Sequence, residues 1–340
     1  MPMSGSRKRE LLLPCVLLLC VASAAQQPES ELAAARSLMQ QNKNTEAIQR
    51  LKALAASHPG TKGVTRELGI AYYHEGEYLE AAKYLQEAWQ ENPEDRDAAQ
   101  LLGLSYYSSG KPSEAIPALE KVRVWHRDEG IDAVYILGLC YILTRNYPQA
   151  RQTFAELYGL PADSPEAHLV VARMLLRQGF DPVAEEEARK ALSISRQLPL
   201  AHFTLGEFYV YKADYAMAAQ EFESELELNR GYAPTYTSLG ETYWHLGRQT
   251  DAERVVQRSI WLDATNSKSY VLMGKVLLKK KQLAGAERML QQAIALDAGS
   301  YNAHYFLGQL YREEGKTDAA ERELKIAARI QQQQGPNAHN

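Results

Sequence analysis

Eight histidines, three cysteines and 42 acidic residues are the groups from which this 340-residue chain could build a chemical site. Their spacing argues against most of that chemistry. No two histidines stand three or four residues apart, so no helix carries a histidine pair of metal-binding spacing. His168, His202 and His304 share one phase of a long period and read as packing residues. Cys140 lies in the apolar run from Ile136 to Leu143, and a nucleophilic thiol needs both access and a lowered pKa. The glycines are spread singly, which leaves no phosphate-cradling loop, and no serine sits in a Gly-x-Ser-x-Gly elbow. Glu185, Glu186 and Glu187 read as a solvated helix face. The formal net charge is −4 and no basic run exceeds the three residues of Lys279 to Lys281, a poor match to phosphate backbones. The expectation is a chain that is not an enzyme, with no catalytic residues, metal or cofactor. Neither a small-molecule substrate nor nucleic acid is expected as a partner.

The elements that hold these residues begin after a leader. Arg7, Lys8 and Arg9 precede an apolar run from Leu11 to Val21, broken only by Pro14, and Ala22-Ser23-Ala24 supplies a small-x-small site. Residues 1–24 read as a signal peptide cleaved after Ala24, with Ala25 as the neighbouring alternative. The run is shorter than the about 20 apolar residues that span a bilayer. Cys15 follows Pro14 and Cys20 follows Leu19, whereas a lipid-accepting thiol follows a small residue. The mature chain then keeps Cys140 alone and needs no internal disulfide, although it enters an oxidising compartment. A periplasmic or secreted protein is expected, associated with membranes only through partners.

The remaining chain is periodic. Ala35, Gly69, Gly103, Gly138, Ala172, Gly206, Gly240, Gly274 and Gly308 recur every 34 residues, with one step of 35. A second column, Ala47, Ala81, Ala115, Ala150, Ala184, Ala218, Ala252, Ala286 and Ala320, keeps the same period. Each period reads as two amphipathic helices, A and B, separated by a break. Gly76, Gly110, Gly179, Gly247 and Gly315 mark that break, and Asn42 takes the phase in the first repeat; a left-handed residue there ends helix A. The small residue of helix B is expected to face the small residue of helix A, with leucines and tyrosines closing the sides. The extra residue falls in Arg127-Asp128-Glu129-Gly130, read as a longer turn.

Leu-Gly, then Tyr three residues on, then the helix B Ala, with a closing proline clearest at Pro59 and Pro93, resembles the tetratricopeptide repeat family. The match spans nearly the whole mature chain. An array over residues 25–334 is expected, with repeats starting near 28, 62, 96, 131, 165, 199, 233, 267 and 301 and a frayed tail at 335–340. The first repeat lacks the usual aromatics and the fifth has Ala172 and Leu175 for Gly and Tyr. The resemblance implies an all-α, right-handed superhelical solenoid of nine stacked helix-turn-helix repeats, with A helices lining a concave groove.

The resemblance also implies where a ligand lies: at helix A positions near and just past the glycine phase. In repeats two to four those positions hold Arg66, Ile70, Tyr73, Leu104, Tyr107, Tyr135, Leu139, Ile142 and Leu143, an apolar set. In repeats five to eight they hold Arg173, Arg177, Glu207, Tyr211, Glu241, Trp244, His245, Lys275 and Lys279, a charged set with aromatics between. The apolar set has two readings, packing against the neighbouring A helix or a peptide groove, because an exposed apolar patch wants a partner. The Lys/Asn clamp of chaperone-binding members is absent, since its positions carry Leu32 and Arg36, Arg66 and Ile70, Gln100 and Leu104. The function expected is a protein- or peptide-binding scaffold. A component of a cell-envelope assembly or export complex, and an accessory subunit of an enzyme on another chain, stand as alternatives.

Overall fold

A 34-residue period of paired amphipathic helices requires hairpins that bury their apolar stripes on one another and on the next hairpin. The structure, a computed structural model, describes residues 28–125, 131–179 and 182–334, and the described residues hold eighteen helices and no strand. The signal peptide expected at 1–24, the longer turn at 127–130 and the tail at 335–340 lie outside the described residues.

Two compact units divide between Ala162 and Asp163. The first holds four hairpins: α1 (28–40) with α2 (Asn44–Ser57), α3 (Val64–Glu75) with α4 (Tyr78–Glu91), α5 (Arg96–Ser108) with α6 (Pro112–Trp125), and α7 (Ile131–Leu143) with α8 (Tyr147–Leu157). The second holds five: α9 (Pro165–Arg177) with α10 (Val183–Ile194), α11 (Ala201–Tyr211) with α12 (Tyr215–Leu228), α13 (Ala233–His245) with α14 (Gln249–Leu262), α15 (Ser267–Lys279) with α16 (Leu283–Leu296), and α17 (Tyr301–Glu313) with α18 (Thr317–Gln334). Odd-numbered helices are the A helices of the repeats and even-numbered ones the B helices. Side-chain caps open several A helices: Asp95 accepts from the Ala98 amide, Ser164 from Ala167 and Ser300 from Ala303.

The side chains nearest the glycine column are not those of the alanine column. A Cβ built on Gly69 would lie 2.5 Å from Leu85 Cγ, on Gly138 2.5 Å from Phe154 Cζ, and on Gly206 2.5 Å from Phe222 Cε1. Leu119, Val256, Leu290 and Leu324 stand in the same relation to Gly103, Gly240, Gly274 and Gly308. Each partner is the large residue four positions past the helix B alanine. The expectation of small against small is therefore corrected. Close packing puts the smallest residue under the largest, because a filled interior needs complementary volumes. The helix B alanines are themselves buried, from Ala47 to Ala320.

The breaks take the left-handed conformation expected at Asn42, Gly76, Gly110, Gly179, Gly247 and Gly315. Arg145, Ala213 and Lys281 hold the same phase with φ of 60°, 55° and 59°. The hairpin geometry thus imposes αL on residues that adopt it at a cost. The repeated tyrosine does more than close the side of a hairpin. Tyr209 Oη donates to Glu185 at 2.6 Å, Tyr243 to Glu223 at 2.5 Å and Tyr311 to Glu287 at 2.8 Å. Each bond ties an A helix to the B helix of the preceding repeat. Tyr141 makes the same tie to Glu120. Burial, then the Glu223 bond, push the Tyr243 hydroxyl up to about 12.

Candidate functional site

In the first unit the anticipated groove residues are largely spent on packing. Leu139 and Ile142 are each 4% exposed, so their side chains belong to the interior and not to an open face. Ile70 and Tyr73 pack half-buried against the core of the first three repeats. Tyr135 meets the Phe154 ring edge-on at 5.8 Å, and burial raises the Tyr107 hydroxyl above its ordinary value. Leu104 is half-buried, and Leu143 alone of this set is broadly exposed. Arg66 is held by three carboxylates: Nε donates to Asp95 at 2.9 Å, one terminal nitrogen to Asp97 at 2.7 Å and the other to buried Glu67 at 3.2 Å. Arg36 approaches Glu67 from the other side at 2.8 Å. A cleft of about 760 Å³ opens beside α3, near the 58–63 turn, but the polar groups at its Arg66 wall are already paired within the chain.

The second unit differs. On α9, Arg173 and Arg177 are exposed; on α11, Glu207 is half-buried and Tyr211 exposed. On α13, Glu241 and His245 are exposed, with Trp244 between them half-buried. On α15, the Lys275 ammonium sits 4.2 Å from the Trp244 ring centre and 5.5 Å from that of Phe306, with Glu241 at 3.8 Å, while Lys279 is exposed. A cation between two aromatic faces beside a carboxylate is held by ring quadrupoles as well as charge. The His245 ring stacks on Tyr215 at 4.4 Å, nearly parallel at 1°. Two clefts flank Glu241, one of about 170 Å³ toward Glu207 and Tyr211, the other of about 340 Å³ toward Ser267, Lys275 and Asn302. The structure therefore brings Glu207, Tyr211, Glu241, Trp244, His245 and Lys275 onto one continuous face of A helices.

Burial pushes the Glu207 carboxyl above the usual carboxylate range, partly countered by the Arg173 charge. Among the described residues Glu207 has no hydrogen bond or ion pair. A carboxylate so placed is under-solvated, with only the exposed Arg173 charge acting on it through space. Val210, Tyr215, Ser238 and Phe306 complete this face and were not anticipated. Val210 stands next to the anticipated Tyr211 in the ligand-contact register of α11, which was the available signal; Tyr215 comes from a B helix, and no A-helix register points to it.

The three histidines are structural, as expected, but each has a partner that spacing could have shown. His168 Nδ1 lies 2.6 Å from Glu187, His202 Nδ1 2.7 Å from Glu221 and His304 Nδ1 2.6 Å from Glu323. All three pairs are nineteen residues apart and clip helix A to helix B of one hairpin. Glu31 and Arg50 occupy the same register in the first repeat, bonded at 2.6 Å. Cys140 is wholly buried and burial pushes its thiol up to about 12, the reverse of an activated nucleophile. Among the described residues no three metal-ligating side chains gather, and no helix is long and apolar enough to cross a membrane.

Stacked helical hairpins with polar-aromatic clefts on their A helices define a helical-repeat scaffold, a class that acts by binding other proteins. Sequence models of the tetratricopeptide repeat match residues 32–96 and 144–199 in one form and 72–133 and 277–340 in another. The chain belongs to the tetratricopeptide repeat family. Among curated proteins none matches the sequence. Among solved structures, Pseudomonas aeruginosa PilF is similar at 20% identity over 60% of this chain and 93% of its own, with a TM-score of 0.49. YrrB, described as a repeat protein of this kind with an unusual peptide-binding site, is similar at 22% identity over 54% of this chain and 94% of its own, with a TM-score of 0.45. MamA is similar at 20% identity over 48% of this chain and 94% of its own, with a TM-score of 0.43.

Proposed function

We propose that this chain is a non-catalytic scaffold that holds a segment of another protein along the A-helix face of its second unit. Its leader supports a location in the bacterial periplasm or outside the cell, after cleavage at Ala24. The observation that carries the binding reading is the open Glu241–Lys275–Trp244 cluster with a cleft on each side. Aromatic and charged anchors next to unfilled concavities are what interface hot spots are made of. A second reading, attachment to a larger envelope assembly through the B helices, is favoured by Trp261 on α14, which is 69% exposed with the Arg258 guanidinium 4.1 Å from its ring centre.

Photo-crosslinking amino acids placed at 211, 245 and 254 in the producing cell separate the two. Adducts from 211 and 245 support groove binding; adducts from 254 alone, on the same helix as Trp261, support the B-helix reading and overturn the first. The amino-terminal sequence of the recovered protein tests the location: a mature chain starting at Ala25 is expected, and a full-length precursor in the cytosol refutes it.

A further inference from the structure

We infer that the cleft between α11 and α13 is a receptor for one basic side chain, lysine or arginine, of the segment bound by the second unit. This rests on the binding reading above and adds the chemistry of the ligand.

Size comes first. The cleft holds about 170 Å³, and a cavity of about 150 Å³ admits a benzene-sized group. One long side chain fits; a folded element does not. Its walls are Val210 and Tyr211, both exposed, with the Phe222 ring at the floor. Such walls suit the methylene stem that lysine and arginine lay along apolar surface while the charged head seeks polar partners.

Charge then selects the occupant. Glu207 and Glu241 both line the cleft, one from each helix. Glu207 is half-buried with no hydrogen bond or ion pair among the described residues. Arg173 acts on it only through space and is itself exposed to solvent. Glu241 meets Lys275 at 3.8 Å, a loose contact, because that ammonium is seated over Trp244 and Phe306. Both carboxylates thus keep acceptor capacity facing the cleft. An acidic side chain there would meet two like charges, an apolar one would bury Glu207 further without a partner, and a neutral donor would leave both carboxylate charges uncompensated. A guanidinium or ammonium supplies the missing donors and gains charge-assisted hydrogen bonds. Tyr215, stacked on His245, also lines the cleft and adds an aromatic face for the cation.

The test uses the full mature chain on an array of short random peptides. The expected outcome is selection of peptides with lysine or arginine at one position, where replacement by alanine weakens binding about tenfold. In Glu207→Gln/Glu241→Gln the same replacement should change binding less than about twofold, while the alanine peptides bind parent and variant alike. Glu241→Gln alone, at an exposed position, should lower the preference without risk to folding. Peptides selected with no basic residue, or a basic preference untouched in the double variant, overturn this inference and leave the scaffold reading standing. If no peptide that is retained is released by Trp244→Ala, both fall together.

Discussion

Gly206→Ala, paired with Phe222→Leu, tests the packing rule on which the face depends. An added Cβ at Gly206 would lie 2.5, 2.6 and 2.8 Å from Cε1, Cδ1 and Cζ of Phe222. Carbon atoms rest about 3.5–4.0 Å apart, so the ring must retreat by about 1 Å. Phe222 is wholly buried, so the residues packed around it must shift with the ring. Overpacking of this kind costs about 1–3 kcal/mol, against a gain of about 1 kcal/mol from replacing glycine inside a helix. The single variant thus mixes two opposed effects, and the double-mutant cycle isolates the contact. Phe222→Leu alone removes ring atoms and leaves a void, costing about 1–3 kcal/mol. In the Gly206→Ala background the new methyl group fills part of that void. The double variant should therefore be more stable than the sum of the singles by about 1–2 kcal/mol, within the range for residues in contact. The fifth repeat already carries such an exchange: Ala172 takes the glycine position, and Ala188, sixteen residues on, the large one, both wholly buried. Long repeat arrays do not unfold as one unit, so urea titration should be followed by hydrogen exchange on α11 and α12 peptides. Additivity within about 0.3–0.5 kcal/mol would refute the claim that Phe222 occupies the space left by the missing side chain of Gly206.

Other outcomes follow from the same geometry. Ala213→Gly and Lys281→Gly, at φ of 55° and 59°, should each stabilise by about 0.5–1 kcal/mol, read as a rise in urea midpoint. Removing His168 alone takes the 2.6 Å partner from the buried Glu187 carboxylate and should cost about 1–3 kcal/mol, whereas His168→Phe with Glu187→Met should cost less than the sum of the two single changes. Cys140 should resist alkylation at pH 8 in the folded chain and react once it is unfolded, followed by peptide mass spectrometry; labelling of the native protein at the rate of a free thiol would contradict its burial. Glu207 has its folded carboxyl raised above the ordinary 4.5, so its contribution to stability is full below 4.5 and is lost as pH rises through the folded value. Glu207→Gln should accordingly be more stable than the parent at pH 7 in the absence of ligand, and the difference should vanish on acidification below 4.5.

What the sequence makes legible depends on whether a residue's alternatives differ in free energy by much. The period, the hairpins and the αL turns are legible because each glycine inside a helix costs stability. A whole column of them persists only where a side chain would collide. The partner of that column is less legible, since matching small residues to small ones is a plausible pairing that packing rejects. The large residue sixteen positions on, Leu85, Phe154 or Phe222, is equally visible once volumes are required to complement one another. The same asymmetry governs the binding face. Leucine and isoleucine serve equally well in a core or in a groove, so the phase of Leu139 and Ile142 does not assign them, and both are buried. Glu241 has no such freedom: an unpaired carboxylate is too costly to bury, so its position beside the glycine phase already implies an open face. Glu207 is the informative exception. It is half-buried, unbonded and destabilised as an anion by its surroundings, and a scaffold with no partner gains nothing from such a group. Stability given up at one position on this face, beside a cleft of side-chain size, fits a site built to take a cation. That is why Glu207→Gln should move stability and basic-peptide preference in opposite directions: a gain in the first without a loss in the second would show that the carboxylate is only a flaw in the packing.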